Sequence, residues 1–116
     1  MKVGLRLNGK AIGVDPTPVA GQTGDAQFPV YADRPTVGVW EEGELTEHGD
    51  GLFDFRFLAA DRQLSLTPTG LESRAAGSFG GWEQVYATQQ PDGGALVYRY
   101  ENGVPVVVLT IEAVAS

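Results

Sequence analysis

The sequence predicts an all-β fold assembled from repeated units, on three observations. Sixteen glycines and seven prolines punctuate short apolar runs throughout the chain. No apolar stripe of helical period extends beyond about two turns. Gly38-Val39-Trp40-Glu41 returns as Gly80-Gly81-Trp82-Glu83, with 42 residues between each shared pair, and self-similarity at a fixed interval marks a repeated supersecondary unit. At 116 residues the length predicts a single domain, 1–116, which on folding removes roughly two-thirds of the unfolded chain's surface from water.

The elements follow in order. Val3-Gly4-Leu5-Arg6-Leu7 alternates and stops at Asn8-Gly9, a hairpin signal because both turn residues tolerate positive φ. The return strand is Lys10 to Val14, ended by Asp15-Pro16. From Thr17 to Gln27 the composition is that of a surface loop. Phe28 to Ala32 reads as a strand with Pro29 at its start, since proline cannot donate to a ladder. A further run is predicted to open at Trp40 and reach Leu45, with a turn at His48 to Gly51. Leu52 to Leu58 is the clearest period-2 segment, with Phe53, Phe55 and Phe57 on a core face and Asp54 and Arg56 on the other. Gln63 to Thr67 alternates, Leu71 to Ala75 is a weak strand, and a glycine-rich link leads to Trp82. Trp82 to Thr88, a turn at Pro91 to Gly94, and Ala95 to Tyr100 precede a second Asn-Gly hairpin, Asn102-Gly103. Val104 to Ile111 is a β-branched run expected to be buried on both faces.

Three segments place an arginine between apolar residues before a tight turn: Leu5-Arg6-Leu7, Phe55-Arg56-Phe57 and Tyr98-Arg99-Tyr100. The interval between the last two arginines is 43, and that between the first two is 50, longer by about the length of the Thr17 to Gln27 loop. A threefold repeat of about 40 residues, four short strands each, predicts a β-trefoil with three pseudo-symmetric repeats, approximately 1–39, 40–81 and 82–116, circularly offset so that the chain begins on a unit's second strand. Trp40 and Trp82 are then equivalent and expected to pack at the barrel, and no Trp-Glu pair appears in the third copy.

With Ala32-x-Arg34-x-x-x-Gly38-x-Trp40-Glu41, Gly80-x-Trp82-Glu83 and the Leu7-Asn8-Gly9-Lys10 hairpin in hand, the chain resembles the fascin-like β-trefoil superfamily. Arg74 and Ala76 stand where Ala32 and Arg34 map in the second copy, a departure from the pattern, and the Gln-x-Trp signature of ricin-type lectins is absent. The resemblance implies a binding module rather than an enzyme, with carbohydrate as the presumed ligand in bacterial members. An up-and-down barrel of the lipocalin type also carries Gly-x-Trp, but once and near the amino terminus, so the recurrence favours the trefoil.

Eight Lys and Arg against fifteen Asp and Glu give a net charge of −7, which argues against nucleic acid and anionic membrane surfaces as partners. With no cysteine no disulfide framework is predicted. Met1 to Gly9 places an arginine and a turn where a secretory leader needs an apolar run, and no later run approaches a membrane span, so the compartment is not legible. His48, the single histidine, lacks a nucleophile-elbow pattern around Ser65, Ser73 or Ser78. One histidine without cysteine is a poor zinc set, and the acidic run from Glu41 to Asp54 lacks the spacing of a calcium loop. No metal or cofactor is expected, and a small trefoil is expected to lack a cleft for catalysis.

For binding, Tyr98, Tyr100, Trp40 and Trp82 are assigned inward, leaving Tyr31 and Tyr86 as free aromatics. Arg6, Arg56 and Arg99 are expected to form an outward ring about the pseudo-threefold axis. The candidate ligand-binding residues are Tyr31, Arg56, Asp61, Gln63, Tyr86, Arg99, Glu101 and Asn102. The predicted function is non-catalytic recognition of a carbohydrate or cell-surface polymer. The alternatives are a structural or assembly domain with a protein partner, such as a phage or envelope component, or a small glycoside hydrolase, whose paired carboxylates are a three-dimensional property that spacing does not reveal.

Overall fold

The computed structural model describes residues 1–114. Ten strands run in order: β1 (Lys2–Leu7), β2 (Lys10–Val14), β3 (Val30–Arg34), β4 (Gly43–Gly49), β5 (Leu52–Phe57), β6 (Arg62–Thr67), β7 (Gly70–Ala75), β8 (Val85–Gln89), β9 (Ala95–Glu101) and β10 (Val104–Ala113), with one short 3₁₀ turn at Gly24–Gln27. Six strands close a ring in which every contact is antiparallel: β1 pairs with β4, β4 with β5, β5 with β8, β8 with β9, β9 with β10, and β10 with β1. Pairing β5 with β8 and β1 with β4 skips the hairpins between them, which separates this barrel from an up-and-down one. The hairpins β2–β3 and β6–β7 stand off the ring, each joined to it through the end of β1 or β5. This is a β-trefoil.

The turns behave as their residues dictate. Asn8 and Gly9 have φ of 52° and 82°, Asn102 and Gly103 of 52° and 78°, the double positive φ that a two-residue hairpin of matching twist requires. The core comprises Val3, Leu5, Ile12, Val14, Leu45, Phe55, Phe57, Leu64, Leu66, Val85, Val97 and Leu109. Phe55 and Phe57 are buried, whereas Phe53 is only half-buried at the barrel's open end. At Gly43 a Cβ would lie 2.2 Å from the Phe55 ring, so that β4 position admits no side chain while the ring fills the barrel.

The lobes are not equal. Lobes one (β1 to β4) and two (β5 to β8) have four strands each. The third has only β9 and β10, because β10 first returns along β9 from the Asn102-Gly103 turn, then breaks register between Val106 and Leu109 and becomes barrel wall against both β9 and β1. The predicted third set of four strands is thus shortened to two. Counted from the turn, Pro105 stands where Ala11 and Gln63 stand, the residues that pair onward with Arg34 of β3 and Arg74 of β7. Proline brings no N–H to that edge, a common guard for an unpaired strand. The stretch expected to be buried on both faces is consequently open: Val104 and Val108 are 58% and 41% exposed, with Leu109 buried.

The repeated Gly-x-Trp-Glu is a turn preceding a barrel strand, not a strand start. Glu41 and Glu42 N–H both donate to the Gly38 carbonyl, and Glu83 and Gln84 N–H to that of Gly80. The glutamate reaches back so that Gly38 N–H donates to Glu41 Oε1 at 2.8 Å and Gly80 N–H to Glu83 Oε1 at 2.9 Å. The tryptophan contributes its carbonyl, which accepts from Val14 N–H in lobe one and Leu66 N–H in lobe two. The two tryptophans are equivalent as expected, but their indoles do not pack inside the barrel: they are 41% and 45% exposed. Glu41 and Glu83 take the buried positions instead. Ser65 Oγ donates to Glu83 Oε2 at 2.7 Å. The corresponding β2 position is Gly13, where a Cβ would come within 2.7 Å of Glu41 Oε2.

Candidate functional site

The outward faces of equivalent barrel pairs show where the lobes diverge. In the pair β4–β5, Glu44 faces Arg56. Forty-two residues on, in β8–β9, Tyr86 faces Tyr98. In β10–β1 the pair is Thr110 and Arg6. A site that is polar or charged in two lobes is aromatic in the third. Tyr100, two residues along the same face, joins it and is 45% exposed. The Tyr86 and Tyr98 rings stack with centroids 6.1 Å apart, and Tyr100 meets Tyr86 at 5.0 Å and Tyr98 at 5.3 Å, both edge-on. The Tyr98 phenol is held above its ordinary value by the Tyr100 hydroxyl beside it, then by burial and the neighbouring phenols. The three rings form an aromatic platform where β8 of lobe two meets β9 of the shortened third lobe, with Tyr86 and Tyr98 partly buried and Tyr100 the most open.

Four predicted residues lie on this lobe or on β8 beside it. Tyr86 is in the platform, and Glu101 and Asn102 end the β9 hairpin beside Tyr100. Arg99 belongs to the opposite face: it is 8% exposed and shares the inward side of β9 with Val97. Its Nη2 is 3.9 Å from Glu101 Oε2, and its Nε is buried without a partner. Tyr98 and Tyr100, assigned inward from the sequence, are the outward ones. The expected ring of Arg6, Arg56 and Arg99 does not form, since only the first two face outward. The 43-residue arginine interval misaligned by one residue the repeat that the tryptophans set at 42, and a one-residue slip exchanges the faces of a strand. Applied to Arg56, the tryptophan interval reaches Tyr98.

The other predicted residues lie elsewhere. Arg56 Nη1 donates to Asp61 Oδ1 at 2.7 Å at the tip of β5–β6, where Asp61 has φ 54°. Gln63 faces Arg56 across that ladder but is 2% exposed, its Oε1 accepting from Gly77 N–H. Arg6 is held by Glu112 and by the Gly9 and Pro35 carbonyls. Tyr31 sits on β3 under the Arg34 guanidinium, 5.0 Å from its centroid, and lines a separate cleft of about 480 Å³ between the Thr17–Gln27 loop and β7. A cleft was not expected from the sequence, and its walls are the inserted loop that reads there only as a connection.

His48 Nε2 lies 2.7 Å from Asp54 Oδ2, and its ring packs on Phe79 at 4.1 Å. Ser65 is engaged with Glu83, and Ser73 Oγ donates to the Phe28 carbonyl at 2.5 Å. Among the described residues no group of three or more His, Cys, Asp or Glu side chains is placed to hold a metal ion, and no helix is long and apolar enough to cross a membrane.

No protein-family model and no curated protein matches the chain. Solved structures do. The designed threefold-symmetric protein ThreeFoil matches 97% of this chain and 99% of its own at 16% identity, TM-score 0.62. The Haemophilus ducreyi cytolethal distending toxin matches over 96% of this chain and 71% of that chain at 10% identity, TM-score 0.63. The Clostridium thermocellum exo-β-1,3-galactanase 1,3Gal43A matches over 98% of this chain and 27% of that one at 14% identity, TM-score 0.61. At such identities these likenesses establish the trefoil fold alone, and they leave the narrower fascin-like resemblance a matter of short motifs.

Proposed function

We propose that this domain is a non-catalytic recognition module that binds a carbohydrate or cell-surface polymer on the tyrosine platform where its second and third lobes meet. The observation that carries the reading is the triad Tyr86, Tyr98 and Tyr100, three rings within 6.1 Å of one another on an outward strand face, where the equivalents of the Tyr86–Tyr98 pair in the other lobes are polar. Exposed aromatic surface concentrated in one place marks an interaction site, and tyrosine supplies a flat apolar face together with a hydroxyl for polar partners. The apolar side of a pyranose fits the rings, while Glu101 and Asn102 at the hairpin tip offer hydrogen-bonding groups to its hydroxyls. The net charge of −7 favours a neutral glycan over an anionic one. A galactanase among the structural neighbours and the fascin-like resemblance both agree with a glycan context.

Affinity electrophoresis through gels containing a panel of neutral polysaccharides tests this. The expected result is retardation by at least one polymer, lost in Tyr98→Ala and Tyr100→Ala proteins that melt as the wild type does. Retardation that is absent throughout, or unchanged in both variants, would overturn it. Val104 and Val108, exposed on the same lobe, favour a second reading in which the ligand is a protein. That reading expects no retardation by any glycan and loss of partner capture on Val104→Asp.

A further inference from the structure

The Thr17–Gln27 loop has no counterpart in lobe two, and it builds the cleft. Its fold is fixed by Val19 N–H donating to the Gln27 carbonyl at 2.9 Å and Phe28 N–H to that of Asp25 at 3.1 Å. It is also fastened to lobe two. Arg62 Nη2 donates to Asp25 Oδ1 at 2.5 Å, Arg62 Nε to Ser73 Oγ at 3.1 Å, and the Arg62 guanidinium lies 4.6 Å from the Phe28 ring centroid. Ser73, itself buried, holds the Phe28 carbonyl. A loop anchored at both its ion pair and its aromatic end presents a preformed concavity, and its volume of about 480 Å³ lies within the range of small-ligand sites.

The lining determines what such a concavity accepts. Phe28, Tyr31 and Leu71 give it an apolar wall, and Gln22, Asp25 and Glu72 a polar one. Both carboxylates are already matched to cations: Asp25 to Arg62 and Arg74, and Glu72 to Arg74 at 2.7 Å. The site therefore carries little net charge, which removes the attraction for an ionic ligand. An ionised carboxylate has about four lone-pair positions, and the arginines occupy only some of them, so Asp25 and Glu72 remain as oriented acceptors. The complementary ligand is neutral, rich in hydroxyl donors and apolar on one face.

We infer that this cleft is a second binding site, independent of the tyrosine platform, and that it takes a neutral mono- or disaccharide unit with the sugar's apolar face on Tyr31 and Phe28 and its hydroxyls on Asp25, Glu72 and Gln22. The unit can be a free sugar or the end of a polymer. A monosaccharide and a disaccharide of the same unit, glucose and cellobiose, distinguish the sources, because a site for free sugar binds the monomer at least as tightly and a site for a chain end binds the disaccharide more tightly.

The test is a titration of the ¹⁵N-labelled domain with glucose, galactose, N-acetylglucosamine, cellobiose and lactose, followed by amide shifts. At least one sugar is expected to move the amides of Gln22, Asp25, Tyr31 and Glu72 saturably. Its affinity should fall at least tenfold in Tyr31→Ala and in Glu72→Gln, and more mildly in Gln22→Ala, a loop substitution that leaves the anchoring ion pair intact. The same titration of Tyr98→Ala should be unchanged, so the cleft and the platform stand or fall separately. No saturable shift at these amides with any sugar, or wild-type affinity in Tyr31→Ala or in Glu72→Gln, would overturn the inference.

Discussion

Glu83 shows how one side chain can define a repeat. Its carboxylate, buried in the turn, accepts from Gly80 N–H and from Ser65 Oγ, joining the turn to β6. Glu83→Ala would leave both donors unpaired, and the expected loss is about 2–3 kcal/mol, measured by chemical denaturation. Trp82→Ala keeps the backbone carbonyl that binds Leu66 N–H and is expected to cost less. The reverse order of losses would refute this account of the motif. The sequence displayed the motif but not its division of labour. Tryptophan attracts attention as a core residue, and yet the work at this turn is done by a carbonyl, which every residue carries, and by a glutamate that reads as surface. Gly13 opposite Glu41 was equally unreadable, because the need for a missing Cβ exists only once two strands are brought together.

Among the elements, β10 departs furthest from its pattern. The run from Val104 to Ile111 has the composition of a strand buried on two sides, and it would be one if a third hairpin strand lay over it. Composition reports the residues of a strand and not the neighbours the chain omits. The strand changes role at Val107, whose φ of 49° places a β-branched residue in the left-handed region, costing roughly 1–2 kcal/mol. Val107→Gly relieves this cost but gives up a side chain packed against the core, so it is expected to lose less stability than Val106→Gly, which sits in ordinary strand geometry and gains no such relief. Equal losses in urea unfolding would remove the claim of strain. The strands signalled by turns, by contrast, were legible: both Asn-Gly pairs and the alternation of β5 act through neighbours within a few residues. The Thr17–Gln27 loop was legible as an insertion and not as a wall, since its anchors Arg62 and Ser73 lie far along the chain.

At the scale of the molecule, the titrating groups set a window of stability. Glu72 is held below its ordinary value of 4.5 by its hydrogen bond from Arg74, against desolvation. Its contribution is thus present above about pH 4.5 and is lost as the pH falls through its folded value. Tyr98 is raised above 10.0, so its contribution holds below that pH and declines as the phenol ionises. A plateau between these limits is expected in pH-dependent denaturation, with the acid slope reduced in Glu72→Gln and the alkaline slope in Tyr98→Phe. An unaltered profile in both variants would contradict these assignments. The trefoil itself was readable because the 42-residue recurrence is carried by two lobes; the missing third Trp-Glu pair signalled that the lobes differ, but not that the third is reduced to two strands, because the register break in β10 arises from pairing with strands far along the chain.

The abrupt passage from Val106 to Leu109 has an engineering consequence. Lobe two fills the corresponding interval with its own strand, turn and glutamate clasp, from Ser65 to Gln84, and these arrive with their internal partners included. Splicing that cassette into the joint, with Pro105 exchanged for a donor, would supply the two strands the third lobe lacks and give the trefoil three lobes of equal length. The chain as it stands leaves that joint short.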